Sequence, residues 1–377
     1  MAHFRVYARD ASLARVAEVD DFQRLEAVPR FNAVGAWLLD VDRNVTAAAH
    51  LMLPGAGIVV TADDRVVLSG PVRQRRRVRS SDSDRLVVSG PDDLAWLAHR
   101  LAHPQPSTAA PPYSSSAYDV RSGTASSVVA AYVDANAGPG ALASRRVPGL
   151  SLAPDPLIGT AVTGRARWQR LIDLLAELAL AGGGLGFRVS QPAVGGLSFA
   201  SYLPVDRAAS VVFSLDLGNL AAFDYSAEAP EANYIVAAGG GEGTARTIRE
   251  GQSSLSVAEW GRVETFRDRR DTTDVAELDQ TIAEELAAQA ERTALSVTPV
   301  DLEQMAYGSD YDLGDRVSAV VDGVQVVEVV RELRISLTRD DPDRVRPVIG
   351  TPTRAQVLDV FRRVRQVDSR VRDLERR

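Results

Sequence analysis

An unbroken heptad repeat fills the last 25 residues of the chain and constrains its structure more than any other segment. Between Thr353 and Arg377 the apolar residues alternate in steps of three and four, and they are Val357, Val360, Val364, Val367, Val371 and Leu374. This spacing is the a and d pattern of a coiled coil. Valine fills every a position, and β-branched residues at both a and d favour trimers over dimers. The pattern therefore predicts a parallel coiled coil between copies of this chain.

We call the residues at the a and d positions the seam. Charged residues flank the seam at the e and g positions, which determine which helices associate. Arg363 and Arg370 fall at g, while Asp368 and Glu375 fall at e, five residues after the preceding g. That offset allows ion pairs between neighbouring parallel helices. The alternative is an amphipathic helix that docks on its own domain, because Phe361 at e widens the apolar face and three heptads are short.

Composition excludes several classes of function. The chain has 377 residues, no cysteine, four histidines and a net charge of −7. Without cysteine there are no disulfides, thiolate nucleophiles or cysteine-ligated zinc or iron–sulfur sites, and the negative charge argues against a general nucleic-acid binder. No apolar run is long enough to span a membrane. The first 21 residues lack the pattern of a signal peptide, so we expect the protein to stay in the host cytoplasm until it is assembled.

Turn signals and changes in periodicity divide the chain into four regions. We predict an α+β, mostly β fold with two β-barrel-like domains, arranged as follows: a β-barrel-like domain at 1–104, a small α-α-β-β domain at 105–209, a second β-barrel-like domain at 210–350 with a helix inserted at about 274–293, and a coiled-coil helix at 351–377. A further short helix is predicted at 92–103.

Three segments invite a chemical interpretation. His99 and His103 are four residues apart on the predicted helix, but no carboxylate-rich partner accompanies them, so a surface helix is expected and not a metal site. The glycines at 239–243 follow a strand but lack a phosphate-binding motif, so a hairpin end is expected. The run Arg73–Arg79 lacks the interleaved aromatics of a nucleic-acid site, which favours an exposed hairpin arm or an interface with an acidic partner.

No segment predicts a catalytic, cofactor-binding or metal-binding residue. The sequence contains neither an HExxH nor a GxSxG motif. We therefore expect a structural, self-associating protein and not an enzyme, without a cofactor.

The order of these parts resembles the tail hub proteins of tailed bacteriophages. The resemblance is greatest for siphophage minor tail proteins of the ReqiPepy-like group, and the myophage baseplate hub is similar in architecture. Its most specific segment is YDLGDRVSAVVDGVQVVEVVRELRISL at 311–337, followed by Gly350 and Pro352. The family resemblance implies that Leu313, Gly314 and Asp315 form the turn before the closing strands, and Asp322-Gly323 has the chemistry of a hairpin turn. Supporting segments are VLSGPV at 67–72, VVSGPDDLAWLAHR at 87–100 and WQRLIDLLAELA at 168–179.

The resemblance implies a homotrimeric tail-tip or baseplate hub in the virion. Two β-barrel-like domains from each of three subunits would form a ring that joins the tail tube or distal tail protein to fibres, receptor-binding proteins or tip proteins. DNA would pass through the ring without specific binding. Alternatives are a receptor- or carbohydrate-binding tail protein with hydrolase activity, the hub of a contractile injection system, and a bacterial adaptor unrelated to phage.

Overall fold

The computed structural model describes residues 3–109, 115–192, 195–299, 305–321, 323–339 and 344–350. Within these ranges the chain forms 22 strands, six α-helices and one 3-10 helix. The predicted α+β, mostly β class is therefore confirmed. The heptad segment lies outside the described residues, and with it lie all ten residues that the sequence assigns to the coiled-coil interface.

The N-terminal region is built from eight strands and two short helices. They are β1 (Phe4–Arg9), β2 (Arg15–Glu18), β3 (Phe22–Arg30), β4 (Ala33–Asp42), α1 (Thr46–Leu51), β5 (Gly57–Ala62), β6 (Arg65–Pro71), β7 (Gln74–Arg79), β8 (Asp84–Pro91) and α2 (Ala95–Ala98). Burial alternates along β3, where Leu25 and Ala27 are buried and their neighbours are less so. This alternation is expected when one face of a sheet covers a core.

The middle region follows the predicted order of helices and strands. Its elements are β9 (Asp119–Thr124), α3 (Ala125–Asn136), β10 (Leu150–Leu152), β11 (Ala161–Ala166), α4 (Leu171–Ala181), β12 (Gly186–Ser190) and β13 (Leu197–Tyr202). The two predicted helices and the β12–β13 hairpin are confirmed, while β9, β10 and β11 are additional. Leu171, Leu175 and Leu178 of α4 are buried, because their spacing places them on one face of the helix.

The remaining described residues contain a helix-bearing insertion between two strands of a sheet. The elements are β14 (Val212–Phe213), β15 (Leu220–Glu228), β16 (Tyr234–Ala238), the 3-10 helix (Gly243–Ala245), β17 (Ile248–Gln252), α5 (Ser254–Trp260), β18 (Glu264–Asp268), α6 (Val275–Ala288), β19 (Arg292–Pro299), β20 (Arg316–Val321), β21 (Val324–Thr338) and β22 (Arg344–Gly350). We call residues 231–291 the insertion unit. Its three strands pack against α6 through Ile235, Ala237, Leu278 and Ile282.

One ten-stranded sheet joins the two ends of the chain. Its main path runs β15-β19-β22-β21-β3-β4-β8-β7, with β20 and β14 attached at β21. Strands β21 and β3 pair antiparallel, and Arg30 donates to the Glu332 carboxylate at 2.9 Å across 302 residues of sequence. Four strands from each end of the chain thus meet in the middle of one sheet.

This shared sheet corrects the expectation of two β-barrel-like domains. In the part of the chain that the structure describes, the strand pairing closes no barrel, and strands of both regions cover a common core. Leu25 and Leu39 from one region pack in the same cluster as Val317, Leu333 and Ile335 from the other. Since each fully buried aliphatic side chain contributes about 1.5–3 kcal/mol, this core holds the two regions together.

The predicted helix at 92–103 is wrong beyond its first turns. Helix α2 ends at Ala98, and Leu101 instead forms a β-bridge with Arg170. The Ala102 N–H donates to the Gln169 carbonyl at 2.9 Å. Because this backbone is paired with the segment before α4, it cannot also form helical hydrogen bonds.

Candidate interaction surfaces and structural motifs

The Leu313-Gly314-Asp315 segment forms an anchor between distant parts of the chain. Gly314 has φ +92°, and a Cβ atom at this position would overlap the Phe31 ring. The buried Asp315 carboxylate accepts from the Val205 N–H at 2.8 Å and from Arg207 Nε at 2.9 Å. The Gly314 N–H donates to the Val330 carbonyl at 2.9 Å. The turn therefore fixes the start of β20 against the segment that connects β13 to β14.

Two Ser-Gly-Pro segments cross where β6 approaches β8. A Cβ atom on Gly70 would overlap the Pro91 carbonyl oxygen, and one on Gly90 would overlap the Pro71 carbonyl oxygen. Strand β6 belongs to the four-stranded sheet and β8 to the ten-stranded sheet. Their backbones approach so closely at this crossing that only glycine fits at these two positions. This crossing positions the acidic pair Asp92 and Asp93.

Asp93 forms a fully buried ion pair with Arg9. Arg9 is 1% exposed and Asp93 is 0% exposed. Two guanidinium nitrogens donate to the two carboxylate oxygens at 2.6 and 2.7 Å, and Arg9 also donates to the Gln191 side chain at 2.8 Å. Ser69 Oγ donates a further hydrogen bond to Asp93 at 2.6 Å. This cluster connects the N-terminal region to Gln191, which directly follows β12 in the middle region.

The carboxyl group of Asp92, the residue before Asp93, has a raised pKa. Its carboxylate accepts from the Gly35 N–H at 2.8 Å and from the Leu94 N–H at 3.1 Å. Burial, together with the charge of the neighbouring Asp93, raises the pKa of Asp92 to about 7.

The arginine run lies on strand β7, at one edge of the ten-stranded sheet. Arg75 donates to the Leu51 carbonyl at 2.9 Å and to the Leu53 carbonyl at 2.6 Å. Arg77 forms a bidentate pair with Asp84. The sequence-based expectation of a hairpin arm is confirmed, since β7 and β8 form an antiparallel pair. Arg73 also stacks on Trp96 at 5.1 Å, a contact between residues 23 positions apart in sequence.

The glycine-rich segment is the end of a hairpin, as expected. It connects β16 to β17, which are antiparallel. The Gly239 N–H donates to the Thr247 carbonyl and the Gly240 N–H to the Thr272 carbonyl, at 2.8 and 2.7 Å. Arg246 donates to the Ala238 and Gly239 carbonyls. Because the amides of Gly239 and Gly240 are bound to backbone carbonyls, they are not free to bind a phosphate.

The histidine pair does not form a metal site on one helix face. His99 caps the C-terminus of α2, and His103 lies beyond it with its ring 4.8 Å from that of Trp168. Burial and the Arg145 charge lower the pKa of His103. In the described ranges, no group of three or more His, Asp or Glu side chains is placed to hold a metal ion. None of the described helices is both long and apolar enough to span a membrane.

A cleft of about 270 Å³ separates the middle region from the insertion unit. It holds several carboxylates, of which Glu177 of α4 and Glu284 of α6 are the most perturbed. Glu177 is exposed as a whole residue, but desolvation of its carboxyl group in the cleft and the nearby Glu284 charge raise its pKa to about 7. Burial also raises the pKa of Glu284.

Side chains of the middle region and of the insertion unit bind each other in this cleft, so the cleft is an interface between the two. Arg165 of β11 donates to Glu277 of α6 at 2.7 Å and to Asp271 at 3.2 Å. The Tyr118 ring in the cleft is stacked by Arg165 and Arg167, at 5.5 and 5.1 Å from its centre.

Comparison with known proteins identifies the family. A family model described as Siphovirus ReqiPepy6 Gp37-like protein matches residues 3–351. The chain belongs to this family. The resemblance to siphophage tail proteins that the sequence predicts is thereby confirmed. None of the curated proteins compared with the chain matches it.

Solved structures with the same fold are tail proteins. The 43 kDa tail protein of prophage MuSo2 from Shewanella oneidensis is 14% identical, with a TM-score of 0.60, over 93% of this chain and 99% of its own. A tail protein from Neisseria meningitidis MC58 is 15% identical, with a TM-score of 0.57, over 92% and 96%. Prophage tail protein gp18 from Listeria monocytogenes EGD-e is 12% identical, with a TM-score of 0.54, over 95% and 99%. By family and fold, this Gp37-like chain is a structural protein of the phage-tail type.

Proposed function

We propose that the protein is the trimeric hub of a phage tail tip. In this role a ring of three copies joins the tail tube or distal tail protein to fibres or tip proteins, and DNA passes through it. The observation that carries the proposal is the ten-stranded sheet, to which each end of the chain contributes four strands of the main path. Three copies would together contain six groups of four strands, and this number matches the symmetry of a sixfold tail tube above the ring.

The C-terminal heptads extend this proposal. We infer that Val357, Val360, Val364, Val367, Val371 and Leu374 form the seam of a three-stranded coil, with Arg363 and Arg370 paired to Asp368 and Glu375 of neighbouring copies. A coil of three heptads contributes little stability alone. Its role in the hub is therefore to mark the threefold axis at which the next tail component binds.

Light scattering on the purified full chain tests the trimer. The expected mass is three times 40.5 kDa. A chain that remains monomeric at high concentration would overturn the hub proposal. Deletion of residues 353–377 then separates the two sources of assembly, because a trimer that survives deletion is held by its folded body.

Paired aspartates test the seam itself. Val364→Asp with Val367→Asp places like charges in the seam of every copy and should abolish its association. Gln366→Asp with Ser369→Asp is the matched control, since both residues lie on the outer face of the heptad. Circular dichroism reports the helix content of both variants. Equal helix content and equal mass in the two variants would refute the seam.

A further inference from the structure

The three-stranded sheet of the insertion unit has one face that no described element covers. Helix α6 packs on the other face. Because side chains alternate along a strand, Val236 and Ala238 of β16 point away from α6, and so do the residues that pair with them. We call this side the outer face. Phe266 of β18 and Ile248 of β17 lie on the outer face and are each 53% exposed.

Helix α5 adds further apolar side chains beside the outer face. Leu255 is 86% exposed, and Trp260 at the end of the helix is 40% exposed. Arg262, two residues after Trp260, lies 3.6 Å from the centre of the Tyr234 ring on the outer face. The helix therefore ends next to that face. Exposed groups of large apolar side chains of this kind mark sites of interaction.

Strand β22 ends close to α5. Its last residue, Gly350, pairs with Ala294 of β19. Three residues before Ala294, the Glu291 carboxylate accepts from Ser256 Oγ of α5 at 2.8 Å. Three residues of extended chain span about 10 Å, so α5 lies near Gly350. The six residues 351–356 precede the first seam residue and can span up to about 20 Å, which is enough to bring the seam to α5.

The segment after Gly350 and the insertion unit have opposite net charge. Residues 351–377 contain eight arginines and four acidic residues, whereas residues 231–291 contain six basic and 13 acidic residues. Glu259 is exposed and lies one helical turn from Leu255 on α5, so it places a negative charge beside the most exposed apolar side chain. The insertion unit thus offers both the apolar surface and the charge that match a basic amphipathic segment.

We propose that residues 351–377 dock on the insertion unit of their own chain before assembly, with the seam against α5 and the outer face. This inference goes beyond the proposed hub, because it concerns the single chain. In the hub the same seam residues face other copies, so the docked segment and the coil exclude each other. Docking removes the seam from water in the single chain. It also prevents the seam from associating until three folded bodies are together.

Hydrogen exchange at residues 357–374 tests the docking. It is measured by mass spectrometry at a dilution where light scattering shows monomers, and slow exchange is expected in the wild type. Leu255→Asp should raise the exchange rate by about tenfold or more, which is the change in an equilibrium that loss of one buried leucine produces. The matched control is Leu157→Asp in the middle region, where the leucine is 71% exposed and the exchange should not change.

Glu259→Arg tests the contribution of charge. The substitution should also raise the exchange rate of residues 357–374, because an arginine then faces the basic segment. The difference from the wild type should shrink in 1 M salt, where screening acts over about 3 Å. Arginine in the last turn of α5 suits the helix dipole, so the variant keeps its folded body.

The outcomes separate this inference from the hub proposal. A chain that stays monomeric at high concentration overturns the hub, whereas slow exchange in the dilute monomer still supports docking. Equal exchange in the wild type and in Leu255→Asp refutes docking on α5. Slow exchange that appears only at concentrations where trimers form assigns the contact to other copies and also refutes it. Thermal denaturation of each variant shows whether faster exchange reflects unfolding of the body.

The absence of cysteine allows a direct cross-linking test. Leu255→Cys is combined in one chain with Val360→Cys, Val364→Cys or Val367→Cys. A disulfide needs Cα atoms within about 4.4–6.8 Å, so it reports direct contact between the seam and α5. At least one of the three chains should form a disulfide within the dilute monomer, and Leu157→Cys in place of Leu255→Cys should form none. No disulfide with Leu255→Cys, or equal yields with Leu157→Cys, would overturn the docked arrangement.

Discussion

Removing the Arg9 guanidinium should lower the free energy of unfolding, because the charge on Asp93 then remains buried without a counter-ion. The substitution Arg9→Met keeps most of the unbranched stem of the side chain but leaves the carboxylate without its counter-ion. Both side chains are excluded from solvent, and Asp93 keeps only the hydrogen bonds from Ser69 and Trp96. Breaking a buried pair from one side costs about 3–5 kcal/mol.

Two further variants calibrate this value. Ser69→Ala removes the hydrogen bond to the charged Asp93 and also the one that the Gln191 N–H donates to Ser69 Oγ at 3.1 Å, so it should cost about 1.5–3 kcal/mol or more. Arg9→Met combined with Asp93→Leu removes both charges, and it should be more stable than Arg9→Met alone, because no unpaired charge remains buried. The exposed pair Arg170–Asp173 is the control, and Arg170→Met should cost less than about 1 kcal/mol.

Urea unfolding followed by tryptophan fluorescence and circular dichroism measures these differences. Trp96 donates to Asp93 at 3.2 Å and therefore reports on the cluster directly. Coincident transitions by the two methods justify comparison of unfolding free energies. If Arg9→Met costs no more than Arg170→Met, the argument from desolvation of this pair is refuted.

Three other substitutions have expected outcomes that equilibrium unfolding can check. Gly314→Ala should destabilise the protein by about 1–3 kcal/mol or more, because alanine is strained at φ +92° and its methyl group overlaps Phe31; an unchanged urea midpoint would contradict this. Gly90→Ala should cost about 1–3 kcal/mol by separating β8 from the Pro71 carbonyl, and a neutral effect would show that the crossing has room for a methyl group. Asp92 binds a proton in the folded protein up to about pH 7 but in the unfolded chain only up to about pH 4, so its contribution to stability falls as pH rises between these values, by at most about 4 kcal/mol. Asp92→Asn should remove this slope, and parallel pH profiles for the two proteins would refute the assignment.

Sequence patterns within a short window predicted several helices and hairpins correctly. The helix expected at about 274–293 is α6, in which Leu278 and Ile282 face the sheet and Asp274 caps the first turn. The Asp274 carboxylate accepts from the Ala276 N–H at 2.8 Å. The hairpin expected at the glycine-rich segment also formed. Periodicity and capping residues are visible within a short window of sequence.

The sheet and the candidate surfaces depended on partners that no local window contains. The segment at 311–337 resembles the closing strands of tail hub proteins, but the sequence does not show that β21 pairs with β3, 302 residues away along the chain. The predicted barrels were wrong for this reason. The Arg73–Arg79 run was recognised as a possible interface, yet its position at a sheet edge follows only from the pairing order. Arg9 and Asp93 carry no sequence signal, because three chain regions assemble their cluster.

The pairing of β3 with β21 also sets the order of events during synthesis. At about 5–20 residues per second, the ribosome needs roughly 15–60 s to pass from the codon for Arg30 to that for Glu332. During this interval β3 lacks the strand that will cover its edge. A chain truncated before β21 never completes the central sheet, and it cannot bury the apolar surface that the two ends share. The finished sheet therefore forms only after β21 has been translated, which keeps shorter products out of any particle that requires that sheet.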